Sequence, residues 1–139
     1  MKVTRTILLL GLLAGAVVLA ACGGGQPAAT EGPAISAEAQ KYASLVGDAT
    51  AGKQKLEGTC SSCHGPDAKG ISGLGKDLTT SEYAIGLPDA ELILFLAKGR
   101  PASDSLNTTG VDMPPRGGNP ALTDQDLADI VAYVRTLEK

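Results

Sequence analysis

Between Asp124 and Leu137 the residues Leu127, Ile130, Val131, Val134 and Leu137 recur at intervals of three and four, which puts one apolar stripe along a helix and leaves the opposite face polar. Thr123, followed three residues later by Asp126, supplies a capping box for its start. A second stripe, Leu92, Phe95 and Leu96, predicts a helix over 88–98. Pro88 sits in its first turn, Asp89 and Glu91 at its positive end, Lys98 near its negative end, and Gly99 stops it. Upstream, Asp48 caps a helix running through Ala51, Gly52 and Leu56 towards Cys60, with Gly52 and Leu56 four residues apart on one face. Ser36 to Val46 predicts a shorter helix interrupted by Gly47.

Two long loops separate these stripes. After His64 come Gly65, Pro66, Gly70, Gly73 and Gly75, a run that suits irregular backbone hugging a ligand; from Arg100 to Leu122 the chain is rich in Pro, Gly, Asn and Thr. No segment alternates with the period of a strand, so the fold class is all-α, with three to five helices.

The N-terminus follows a different pattern. Lys2 and Arg5 precede an apolar run from Ile7 to Ala21, and Leu19-Ala20-Ala21-Cys22 closes it with small residues before a cysteine. This is an export signal. At about 15 residues, roughly 22 Å as a helix, the run is shorter than a bilayer span requires. The Leu-Ala-Ala-Cys ending resembles a bacterial lipobox, which implies an acylated Cys22 as lipid anchor; a buried or disulfide-paired thiol is the plainer alternative. From Gly23 to about Ile35, Gly, Ala, Pro, Gln and Thr read as a flexible tether. The expected organisation is 1–21 signal peptide, 22–47 anchored N-terminus and tether, and 48–139 a single domain. Cleavage before Cys22 removes Lys2 and Arg5 and takes the formal charge from -3 to -5.

Composition narrows the classes. A chain of 139 residues with 43% hydrophobic and 19% charged residues holds one globular domain, and 3% aromatics with no Trp is a thin core unless something large and flat fills the interior. The absence of Lys/Arg clusters argues against nucleic acid.

The chemistry lies in Cys60-Ser61-Ser62-Cys63-His64, the attachment pattern of a c-type haem. Two thiols separated by two residues can bond the two vinyl groups on one edge of the macrocycle, and the next residue brings its imidazole to the iron. A zinc site needs about four Cys/His ligands, and a thioredoxin-like dithiol needs a βαβ setting; neither pattern is present. His64 is the only histidine, so bis-histidine ligation within this chain is excluded and methionine becomes the candidate sixth ligand. Met113, the only methionine besides Met1, stands before Pro114-Pro115, outside any apolar stripe; its plainer reading is an adaptable filler of a core gap.

From Asp48 to Lys139 the chain resembles the small monohaem class I cytochrome c family. The resemblance rests on Gly52 in the helix leading to Cys60-Ser61-Ser62-Cys63-His64, on Met113-Pro114-Pro115, and on Tyr133 within Ile130-Val131-Ala132-Tyr133-Val134. It implies the cytochrome c fold around one covalently bound haem c, with Cys60 and Cys63 as attachment points and His64 and Met113 as axial ligands. It also implies that Gly52 meets Tyr133 where the first and last helices cross. Two departures stand out. Leu56 occupies a position that is often aromatic, and Gly75-Lys76-Asp77-Leu78 replaces Gly-Pro-x-Leu, whose proline carbonyl accepts the other N–H of the proximal histidine. A backbone carbonyl near Lys76 is the candidate substitute. Arg100 and Arg116 are candidate partners of the haem propionates, or solvated surface charges. Gly99-Arg100-Pro101, Asn107 to Gly110 and Gly117 to Pro120 look similar to the lipoprotein monohaem subunit of alternative complex III.

These residues imply one-electron transfer by an electron carrier and no enzymatic chemistry: the one histidine is used, and no nucleophilic constellation remains. The expected partners are a membrane oxidoreductase complex or a redox protein, with a membrane contact through the lipid anchor, no nucleic acid and no small-molecule substrate. The expected location is the outer face of the bacterial cytoplasmic membrane. A haem protein with an open sixth position, acting in gas sensing or peroxidase-like chemistry, is the alternative.

Overall fold

The computed structural model describes residues 34–139. The apolar run, Cys22 and the start of the tether lie outside the described residues. Among the described residues there are five α-helices: α1 (Ala49–Lys55), α2 (Ser61–His64), α3 (Glu82–Gly86), α4 (Asp89–Lys98) and α5 (Asp124–Leu137). Among the described residues there is no strand, only two isolated antiparallel bridges, Ile71 with Gly75 and Arg100 with Met113. The fold is all-α, as the periodicity predicts.

The Asp48 side chain starts α1 by accepting from the N–H groups of Thr50 and Ala51 at 2.7 and 3.1 Å, filling donors that a helix start leaves unpaired. α1 runs without a break into one π turn, Leu56–Cys60, and then into α2. A π turn closes its ring one residue later than an α turn. It therefore resets the direction of Cys60 relative to Leu56, whose side chain is fully buried.

α1 crosses α5 with backbone against backbone. A Cβ on Gly52 would lie 1.9 Å from the carbonyl oxygen of Asp129, and one on Gly47 would lie 2.1 Å from that of Ala128. The α5 backbone nearest to Gly52 is that of Asp129 and Ile130, the turn before Tyr133. The buried carboxylate of Asp129 ties the two helices together here. It accepts from the Asp48 N–H at 2.9 Å, from Gln125 Nε2 at 2.9 Å and from Lys55 Nζ at 3.1 Å, which draws α1 onto that turn of α5.

The capping box at Thr123 forms as predicted, with Thr123 and Asp126 bonding each other's backbone. Leu127, Ile130, Val131 and Val134 are buried along the α5 stripe. At the far end Arg135 ties α5 to the α3–α4 junction, donating to Asp89 at 2.8 Å, the Ala84 carbonyl at 2.9 Å and Glu138 at 2.6 Å.

α3 is absent from the periodicity because five residues span less than one and a half turns; its only local mark is Ser81, whose hydroxyl accepts from Ala84 N–H at 3.4 Å. The helix expected over Ser36–Val46 reduces to a single 3₁₀ turn, Ala39–Tyr42. This turn packs against α4 with Tyr42 2% exposed. Glu91 on α4 accepts from the Ser36 N–H, and Lys98 pairs with Glu38. The stretch just ahead of Asp48 thus belongs to the packed body.

Candidate haem site

A cavity of about 590 Å³ opens among the π turn, α2, α3, α4, α5 and the two long loops, within the size range of small-molecule and cofactor sites. Its walls are mainly aliphatic, from Leu56, Leu78, Leu92, Leu96, Leu127, Ile130 and Val131. Cys60, Cys63, His64 and Met113 all line it. Residues 53 positions apart in sequence therefore converge on one chamber; Cys22 lies outside the described residues.

The Cys60–His64 segment is held by its own turn. Ser61 Oγ donates to the Glu57 carbonyl at 2.6 Å and Ser62 Oγ to that of Thr59 at 3.3 Å. Gly65, at φ +76°, then turns the chain away. Burial, and then the neighbouring Cys63, push the Cys60 thiol up to about 11. The two cysteines are not joined as a disulfide. Among the described residues no group of three or more His, Cys, Asp or Glu side chains is placed to hold a metal ion. The further ligands that a zinc site needs are therefore not beside Cys60 and Cys63 among the described residues.

His64 Nδ1 lies 2.8 Å from the carbonyl oxygen of Lys76. A carbonyl only accepts, so Nδ1 carries the proton and Nε2 keeps its lone pair. Lys76 is thus the residue whose carbonyl takes the part that proline plays in Gly-Pro-x-Leu. Gly75 allows it: a Cβ there would lie 2.3 Å from the Cys63 carbonyl oxygen, so any side chain would push the Lys76 peptide away from the α2 turn.

Met113 sits on a loop fixed at three places. Its N–H donates to the Arg100 carbonyl at 2.8 Å and its carbonyl accepts from Arg100 N–H at 2.7 Å. Gly99, at φ +71°, makes room for that pair, since a Cβ there would stand 2.2 Å from the Met113 carbonyl oxygen. Beyond Pro114-Pro115, Arg116 takes a left-handed conformation at φ +55° and donates to the Leu122 carbonyl at 2.8 Å and to Asp124 at 2.6 Å, tying the loop to the start of α5. The third tie reaches the haem-motif turn: Gly117 packs on Thr59, and Asn119 Nδ2 donates to Thr59 Oγ1 at 3.3 Å.

The Arg100–Leu122 loop is not irregular throughout. Asn107 organises its first half, its side-chain oxygen accepting from the N–H groups of Thr109 and Gly110 at 3.1 and 3.0 Å. Its amide donates to the Val111 carbonyl at 2.8 Å and to that of Pro101 at 3.2 Å. Asn107, Thr109 and Val111 also line the cavity. Tyr83 on α3 and Phe95 on α4 meet edge to face, with ring centroids 5.2 Å apart, on the same wall. The sequence reading singled out neither Asn107 nor Tyr83 as a site residue; an Asn-Thr-Thr-Gly turn is the one local signal for the first, and nothing local marks the second.

This donor set fits a c-type haem: two thiols, an imidazole with a basic Nε2, a thioether, and an aliphatic chamber able to take a flat apolar macrocycle. Known proteins agree. The cytochrome c family model matches residues 49–138. Cytochrome c-555 of Prosthecochloris aestuarii is 32% identical over 87 residues, covering 63% of this chain and 85% of that protein. Cytochrome c-554(548) of Halomonas halodenitrificans is 32% identical over 93 residues, covering 67% of this chain and all of that protein. Cytochrome c4 of Thiocapsa roseopersicina is 33% identical over 102 residues, 72% of this chain but 45% of the longer relative. With the attachment pattern, the chamber and these relatives in agreement, the chain belongs to the cytochrome c family, and its work is electron transfer with a covalently bound haem c.

Proposed function

We propose that this protein is a membrane-tethered one-electron carrier in which His64 and Met113 are the axial ligands. The observation that carries the reading is the convergence of both residues on one cavity, each oriented by a backbone partner: Lys76 for His64, Arg100 for Met113. When bound, haem c supplies a one-electron couple, and methionine opposite histidine raises its potential. The chain does the rest. Cys60 and Cys63 hold the cofactor through two thioethers, the Lys76 carbonyl keeps the imidazole in the Nε2-basic tautomer, and the aliphatic walls exclude water.

The test is Met113→Ala. The ferric protein should lose its Met-to-iron absorption band, bind carbon monoxide when reduced, and shift to a lower potential. An unchanged spectrum and potential in the variant would count against Met113 and favour an open sixth position, as expected of a gas sensor or peroxidase-like protein.

Acylation of Cys22 would place the domain on the outer face of the cytoplasmic membrane. Read by its composition, the stretch from Gly23 to Ile35 would be a tether of about 13 residues with an r.m.s. reach of roughly 20 Å, which would keep the domain among membrane partners at high effective concentration. Intact-mass measurement of the mature protein decides acylation. Salt-resistant co-purification with a membrane oxidoreductase, as for a subunit of alternative complex III, marks a fixed subunit; salt-sensitive turnover marks a shuttle.

A further inference from the structure

Arg100 follows the Gly99 stop of α4 and turns back towards the cavity. Its guanidinium carbon stands 4.2 Å from the centroid of the Tyr83 ring and 4.8 Å from that of Phe95, so aromatic surface clamps the group. The side chain is 13% exposed. Nε is buried and, among the described residues, has no hydrogen-bond partner. Asp104 Oδ2 is 3.5 Å away, too far for a bond, and the side chain's one hydrogen bond among the described residues, from Nη1 to the Leu106 carbonyl, is long at 3.4 Å.

A guanidinium carries five N–H donors and stays charged at any physiological pH. Such a group is costly to bury without acceptors. Arg116, the other arginine lining the cavity, gives its N–H groups to Leu122 and Asp124. The two arginines that the sequence left equivalent are therefore distinct. One is spent on the loop that follows Met113; the other keeps donors in reserve at the wall of the chamber.

We propose that Arg100 is a positioning residue whose guanidinium, clamped by Tyr83 and Phe95, binds one propionate carboxylate of the haem and holds the reduction potential up as a fixed positive charge. This rests on the haem-carrier reading. The only charges on the haem periphery are its two carboxylates, and arginine matches a carboxylate with two parallel N–H···O bonds. A carboxylate beside the iron favours the ferric state, and neutralising it favours the ferrous state. The other charged residues lining the cavity are Lys76, Asp77, Glu82 and Asp112, and Asp104 competes with the propionate from outside the lining.

Equilibrium redox titration of the intact holoprotein tests this. Arg100→Gln should lower the equilibrium constant for reduction by about three- to tenfold, tenfold being 59 mV for one electron. Arg100→Lys keeps the charge but loses the planar stack, so its constant should stay within about twofold of the wild type while its thermal stability falls. Asp104→Asn should raise the constant. A purely structural role predicts lost stability in both Arg100 variants with no movement of potential. A native spectrum with unmoved potential in Arg100→Gln overturns the inference. Should that variant not accumulate, the reduced ¹⁵N-labelled wild type decides. A slowly exchanging Arg100 Nε–H with a nuclear Overhauser effect to a propionate methylene supports the assignment, and a fast-exchanging one without it overturns it. Wild-type protein lacking covalent haem would defeat the carrier reading itself, and this inference with it; an unmoved potential in a haem-bearing variant defeats this inference alone.

Discussion

Gly52→Ala and Gly58→Ala make the same chemical change on the same run of helical backbone, and the structure gives them opposite signs. At Gly52 the new Cβ would stand 1.9 Å from the Asp129 carbonyl oxygen and 3.0 Å from Ile130 N, backbone atoms that cannot swing aside as a side chain can. Relief requires α1 to move by about 1 Å or more from α5, which loosens the Asp48 and Lys55 bonds to Asp129. Overpacking of this kind costs typically 1–3 kcal/mol, and strain on a charged hydrogen-bond network adds to it. Alanine's better helix propensity returns up to about 1 kcal/mol. The net expectation is a loss of about 1–3 kcal/mol. At Gly58 a Cβ meets nothing within 4 Å, so only the propensity gain remains, about 0.5–1 kcal/mol of stabilisation. Urea titration and thermal melts of the holoproteins, followed by circular dichroism, measure both, and in the melts each kcal/mol should move the melting temperature by roughly 4 °C. Gly52→Ala as stable as the wild type, with the midpoint moved by less than that of Gly58→Ala, would refute the backbone-contact account of the crossing.

Three further outcomes follow from the geometry. Burial alone would raise the Asp129 carboxyl, but hydrogen bonds from Asp48 N–H, Gln125 and Lys55 outweigh it and hold the group below the usual carboxylate range. Its folded pKa is therefore lower than the unfolded value of about 3.9, so its stabilisation is complete above about pH 4 and is lost as pH falls through the folded value. Asp129→Asn should lower stability at pH 7 by about 1–3 kcal/mol and flatten the acid limb of the stability curve; an unchanged acid limb would contradict this. Gly75→Ala should push the Lys76 carbonyl away from His64, weaken the imidazole as a donor and raise the reduction potential, read by redox titration. Asn107→Ala removes five bonds from the loop over 101–112 and should make that loop a site of limited proteolysis while α1 and α5 stay intact.

What the sequence determined by itself was whatever depends on neighbours in the chain. The stripe of α5, the capping box at Thr123 and the stop at Gly99 are local patterns of burial and hydrogen bonding, and the structure reproduces them. The attachment pattern is equally local, because two thioethers and an adjacent imidazole need a fixed short spacing. Tertiary structure decided everything that depends on which backbone comes closest to which. Lys76, out of several candidates, supplies the carbonyl for His64, because Gly75 lets the loop lie against Cys63. Gly52 marks a close crossing, but only the fold sets it against the backbone of Asp129, whose buried carboxylate gathers three donors from Asp48, Lys55 and Gln125. Arg100 and Arg116 look alike as letters. Only the fold puts acceptors beside one and two aromatic rings beside the other, since the environment of a charge is set by residues distant in sequence.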